Sequence, residues 1–133
     1  MEQDPAPHFD LRRTDGVAVL TVHGDEIFPE ARAPLLEAAD GLAGAPEPRQ
    51  LVLNLENLRR IDSVTIAVLV TFQKRVREAG WSLKVCAADP HVLGVFRVTR
   101  LDGMMELHES LRHAVDAYLG RGGSWASRIF GPG

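Results

Sequence analysis

The chain has 133 residues, 45% apolar and 25% charged, which suits one globular domain with a hydrophobic core. Its net charge of −3 does not favour a nucleic-acid interface, and no apolar run approaches the ~20 residues of a membrane span. Cys86 is the only cysteine, so no internal disulfide can form, and the five histidines show no metal-ligand spacing. The acidic start Met1-Glu2-Gln3-Asp4-Pro5 does not read as a secretory signal, and a soluble cytoplasmic domain without cofactor or membrane insertion is expected.

Residues 1–8, with Pro5 and Pro7 and little hydrophobicity, are expected to form a flexible leader. Phe9 to Thr14 and Val17 to His23 read as two short strands joined by Asp15-Gly16, a strong hairpin signal because glycine accepts positive φ there. Both alternating sets of the second strand are largely apolar, so it is expected to lie inside a sheet. Gly24 to Pro29 is a loop leading into a helix that carries Ala31, Leu35, Leu36, Ala39 and Leu42 at helical spacing. Gly41, Gly44, Pro46 and Pro48 close that helix, and Gln50 to Leu55 reads as a buried strand.

The next segment is ambiguous by propensity. Val64, Thr65, Ile66, Val68, Val70 and Thr71 are mostly β-branched and favour a strand. The pattern nonetheless continues through Leu69, Phe72, Val76 and Ala79 to a stop at Gly80, which predicts a helix over 63–79. Its first half is apolar nearly all round. Either both sides are covered within the domain, or one side meets a partner. Trp81 to Ala87 reads as a strand. Asp89-Pro90 is an N-cap followed by a first-turn proline, opening a short helix to about Thr99 anchored by Val92, Leu93 and Phe96. Met104 to His108 is a short strand or extended piece. Glu109-Ser110 starts a last helix, with Leu111, Ala114, Val115, Tyr118 and Leu119 on one face and Gly120 at its end. Residues 121–133 are expected to form a flexible tail. The alternation predicts one α/β domain over 9–120, with a mixed sheet and the order ββαβαβαβα.

The chain shows no phosphate-binding glycine loop and no Gly-x-Ser-x-Gly elbow, since Ile61 and Thr65 flank Ser63 at the elbow's glycine positions. The scattered histidines read as surface or half-buried side chains, and Asp25-Glu26 as a solvated acidic turn with partner contact second. The informative stretch is Asn57-Leu58-Arg59-Arg60-Ile61-Asp62-Ser63-Val64-Thr65, between a strand and a helix. It places Asp62 and Ser63 on the outward-pointing N–H groups of a helix start. Two readings stay open: either residue simply caps the helix, or Ser63 is a phosphorylation site whose added charge changes the surface without refolding.

The order of elements and several short motifs resemble the STAS domain family, the fold of bacterial anti-sigma factor antagonists. The resemblance rests on Val19-Leu20-Thr21-Val22-His23-Gly24, on Leu51-Val52-Leu53-Asn54-Leu55 followed by Ile61-Asp62-Ser63, on Arg77 to Val85, and on Val98-Thr99-Arg100-Leu101-Asp102. By resemblance, Ser63 matches the serine that a kinase-type anti-sigma factor phosphorylates, and Asp62 its preceding aspartate. The family pattern there is Asp-Ser-Ser/Thr-Gly-Leu, where this chain has Val64 and Thr65 at the third and fourth places. Arg100 stands where the family usually has glycine. The resemblance implies a non-catalytic adaptor that binds an anti-sigma factor kinase or related signalling protein. Its contact surface would centre on Asp62, Ser63, Val64 and Thr65 with the loop around Asp25 and Phe28, and Arg59-Arg60 is either a steering pair or a solvated basic loop. The alternative is a scaffold subunit of a signalling assembly or a transporter accessory protein, possible as an oligomer and without phospho-switching.

Overall fold

A computed structural model describes residues 8–120. The expected leader, apart from His8, and the expected tail lie outside the described residues. Five strands form one sheet in the order β1-β2-β3-β4-β5, with β1 Phe9–Thr14, β2 Val17–Val22, β3 Gln50–Leu55, β4 Ser82–Ala87 and β5 Glu106–His108. β1 and β2 are antiparallel, and β2, β3, β4 and β5 run parallel to one another. The helices are α1 Pro29–Asp40, α2 Ser63–Glu78, α3 Pro90–Val98 and α4 Leu111–Leu119. This is the expected ββαβαβαβα chain, and the sheet is mixed as the hairpin and the β-α alternation require.

Local chemistry sets the element ends. Asp15 and Gly16 both take positive φ, at 52° and 83°, the geometry that matches a tight hairpin to strand twist. Gly80, at φ +86°, closes α2: its N–H bonds to the Arg77 carbonyl and the Trp81 N–H to the Val76 carbonyl, so the helix stops where the sequence places its glycine. Asp89 caps α3 by accepting the amides of His91 at 2.8 Å and Val92 at 3.3 Å. His8, assigned to the leader by sequence, already accepts the His23 amide at 2.7 Å and so extends the β1–β2 pairing. Met104 to His108, expected as a short strand or extended piece, pairs over only part of its length. Leu101–Gly103 forms a 3-10 turn entered through Arg100 in the left-handed region, at φ 64°, and only Glu106–His108 joins the sheet.

The two sheet faces are covered unequally. Leu51, Leu53 and Leu55 of β3 join α1, α2 and α3 in the main core, together with Leu35, Leu69, Phe72, Val76 and Phe96. On the other face Val17, Val19, Val52 and Cys86 pack against Ala114 and Val115 of α4. Polar groups beneath α4 are paired. Asn54 donates to Thr21 Oγ1 at 3.2 Å and accepts the Glu56 amide at 3.0 Å, and Cys86 Sγ lies 3.2 Å from Asn54 Oδ1. Burial pushes the Cys86 thiol pKa up to about 12, so it is neutral and a poor nucleophile. Glu56 fixes the start of α4 by accepting the Leu111 amide at 2.7 Å, and the Tyr118 hydroxyl near its end donates to the Leu51 carbonyl at 2.9 Å. No helix among the described residues is long and apolar enough to cross a membrane.

Phe72 is fully buried where α2 meets the sheet. Phe72→Ala is expected to lower the unfolding free energy by about 3–5 kcal/mol in urea titration, as the lost transfer energy and the residual cavity add.

Candidate functional site

Parallel pairing of β2 and β3 delivers the loops that follow them to the same edge of the sheet. The two loops are joined through the main chain. The Asp25 carbonyl accepts the Arg59 amide at 2.8 Å and the Arg60 amide at 3.0 Å. Side chains reinforce the join, because Arg60 Nη2 reaches Asp25 Oδ1 at 3.0 Å and Glu26 Oε2 at 3.1 Å. Hydrogen bonding to Glu26, followed by the Asp25 charge, raises the Arg60 pKa above its ordinary value. Asp25-Glu26 is therefore an intramolecular clamp on Arg60, where the sequence reading had a solvated acidic turn. Arg60 is correspondingly committed to its own domain instead of forming a free basic pair with Arg59.

Asp62 is the N-cap of α2. Its extended backbone, φ −110° and ψ 177°, lets Oδ1 accept the Thr65 amide at 2.8 Å. That backbone bond, then the Thr65 hydroxyl and the Arg32 charge, hold the Asp62 carboxyl below the usual carboxylate range. Arg32, on α1, brings Nη2 to 3.8 Å from Asp62 Oδ2, while its shielded Nε has no hydrogen-bond partner among the described residues.

Ser63 follows as the first residue of α2. It is exposed, and its hydroxyl makes no hydrogen bond among the described residues. The cap belongs to Asp62, so the serine oxygen is not consumed by it. Val64 is also exposed, at 49%. Thr65 is not, at 2%: it braces the cap from inside and cannot present a side chain to a partner in this conformation. The apolar first half of α2 is thus covered on one side only, with Ala67 exposed and Ile66, Val68 and Val70 half-buried.

Of the other sequence-derived residues, Asp25 and Phe28 lie in the adjoining loop, both half-buried. Phe28 precedes α1 and sets its ring 5.8 Å from that of His8. Gly24 makes this possible: at φ +96°, a Cβ there would stand 2.9 Å from Phe28 Cε2. A shallow cleft of about 300 Å³ opens beside the α2 start, lined by Glu26, Arg60, Ile61, Asp62, Thr65 and His91. Arg32 and His91 are members of this site that the sequence reading did not assign, while Glu26 entered it only within an acidic turn with partner contact second. No local pattern marks Arg32 and His91, because the fold brings them in from α1 and α3.

A family model described as "Mlab, STAS domain" matches residues 9–117. The chain belongs to the STAS domain family. Solved structures agree in fold. An anti-sigma factor antagonist from Mycobacterium paratuberculosis is 25% identical, with a TM-score of 0.67 over 82% of this chain and 91% of that one. SpoIIAA in its unphosphorylated form is 18% identical, with a TM-score of 0.65 over 84% of this STAS domain chain and 96% of its own. The Bacillus cell fate determinant SpoIIAA in its phosphorylated form is 20% identical, with a TM-score of 0.56 over 83% and 98% of the two chains.

A carboxyl whose folded pKa is depressed contributes stability that is present above its unfolded pKa and is lost as pH falls through the folded value. Asp62→Ala is therefore expected to lower the melting temperature by a few degrees at neutral pH. The gap from wild type should close on acidification below the ordinary aspartate range, as thermal melts across pH would record. Gly24→Ala is expected to cost about 1–3 kcal/mol in chemical denaturation, through the left-handed backbone and the Phe28 contact.

Proposed function

We propose that this STAS domain is a non-catalytic regulatory adaptor that docks a kinase-type anti-sigma factor, or a related signalling protein, on the surface around Asp62, Ser63 and Val64. Phosphorylation of Ser63 is the switch. One observation carries the reading: Ser63 is exposed on the first turn of α2 while the neighbouring Asp62 does the capping. A kinase can reach the hydroxyl without unwinding the helix.

A phosphate at Ser63 would bring about −1.5 to −2 of charge to the positive end of the helix dipole. The helix tolerates that charge, so the fold is retained. The surface changes instead, because the phosphate stands beside the Asp62 carboxylate and above the exposed Val64. A partner that covers Val64 with an apolar patch, or brings carboxylates close to Ser63, is repelled. Asp25 and Phe28 extend the contact from the adjoining loop, with Thr65 acting indirectly by holding Asp62. The antagonists of similar fold, one of them named in both unphosphorylated and phosphorylated forms, support this reading.

A second reading follows from Val64 itself. An exposed β-branched side chain beside the serine suits constitutive packing in a scaffold or an accessory subunit, with no role for phosphate.

Ser63→Asp and Ser63→Ala are both expected to melt within a degree or two of wild type. Phosphopeptide mass spectrometry of protein recovered from its native cells should find phosphate on the Ser63 peptide, and none on the same peptide of Ser63→Ala. Proteins that copurify with the wild type should be retained by Ser63→Ala and lost from Ser63→Asp. Equal retention by both variants, with no phosphate at Ser63, overturns the switch and leaves the scaffold reading.

A further inference from the structure

We propose that β1 is a self-recognition edge: two copies of this chain pair their β1 strands antiparallel about a two-fold axis, with Leu11 opposite Leu11, to continue the sheet from one domain into the other. β1 ends the sheet, and no described strand pairs with its outer side. The His23 amide bonds to the directly opposite His8 carbonyl, so His8 and every second residue after it turn their backbone groups toward β2. Phe9, Leu11 and Arg13 therefore turn their N–H and C=O groups outward. Leu11 is the exposed apolar residue at the middle of this edge, at 53%, which also shows that α1 does not extend over it.

Edge strands are commonly protected by charge, and β1 carries Asp10, Arg12 and Arg13. Here the charges select one register instead of forbidding all of them. With Leu11 opposite Leu11, the outward-facing residues of the two copies meet as hydrogen-bonded pairs, Phe9 with the partner copy's Arg13 and Leu11 with the partner copy's Leu11. Between them, on the face shared with α4, Asp10 stands opposite the partner copy's Arg12 on both sides of the axis. Asp10 and Arg12 already approach within 3.5 Å along one strand, so the pairing closes an alternating square of charge. Sliding the partner by one step of the ladder sets Asp10 against Asp10, and sliding it the other way sets Arg12 against Arg12. A register offset by a single residue opposes outward backbone groups to inward ones and makes no ladder. The interface is isologous and closed, which yields a dimer and not a fibre.

Sedimentation equilibrium of the full chain should show the 14.6 kDa monomer mass doubling as concentration rises. Asp10→Arg and Arg12→Asp should each fold, by circular dichroism melts, and each remain monomeric, because like charges then face across the axis. An equimolar mixture of the two should recover the doubled mass, since one variant carries arginine at both positions and the other carries aspartate at both. Leu11→Pro removes an outward N–H that β2 does not use, and it should also be monomeric while still folded. A wild type that stays at the monomer mass up to millimolar concentration overturns the proposal. So does doubling that survives in both single charge variants and in Leu11→Pro, or a mixture of the folded charge variants that fails to associate.

Discussion

The whole molecule is organised around β3, which is buried on both faces and hydrogen-bonded along both edges. Leu51 to Leu55 are all buried: alternate residues enter the larger core under α1, α2 and α3, and Val52 and Asn54 lie beneath α4. A strand so enclosed has no freedom to slip, because a shift of one residue would exchange its leucines with the Val52–Asn54 set. Its end is fixed as firmly as its middle. The loop that leaves it must emerge beside the loop that leaves β2, since the two strands are parallel and in fixed register. The candidate site follows from that geometry.

At the site itself, rigidity and availability are divided between neighbouring residues. Asp62 is spent on the helix start, Thr65 on supporting Asp62, and Arg60 on holding two loops together. Ser63 and Val64 carry none of that work and face solvent. The residues we propose for recognition and those that hold the fold are thus separated by single steps along the chain. A surface built this way can change its charge without disturbing its scaffold, which is the property an adaptor needs.

Most of the architecture was legible because its signals are local. Asp15-Gly16, Gly80 and Asp89-Pro90 mark element ends through their own backbone chemistry, and the apolar periodicity of 63–79 outweighed the β-branched bias of its first residues. The misreadings have non-local causes. Arg32 approaches Asp62 only because α1 packs beside α2, and nothing near residue 32 announces it. Asp25, Glu26 and Arg60 looked like solvated charges because their partners lie more than thirty residues apart in the chain. Thr65 was placed on the contact surface by its position two residues after the serine, yet the helical turn between them points it inward. The 3-10 turn at Leu101–Gly103 depends on Arg100 adopting a left-handed conformation, which an arginine does not advertise.

The suture between the two site loops is made by the Asp25 carbonyl and the amides of Arg59 and Arg60, atoms that nearly any amino acid supplies. Position 59 can therefore drift from basic to neutral to acidic over evolutionary time while the rim keeps its outline, whereas position 60, whose guanidinium also reaches Asp25 and Glu26, is held basic. Proline alone is barred from them, because it brings no amide hydrogen. Lineages could in this way acquire new binding preferences by exchanging ornament on an unchanged frame.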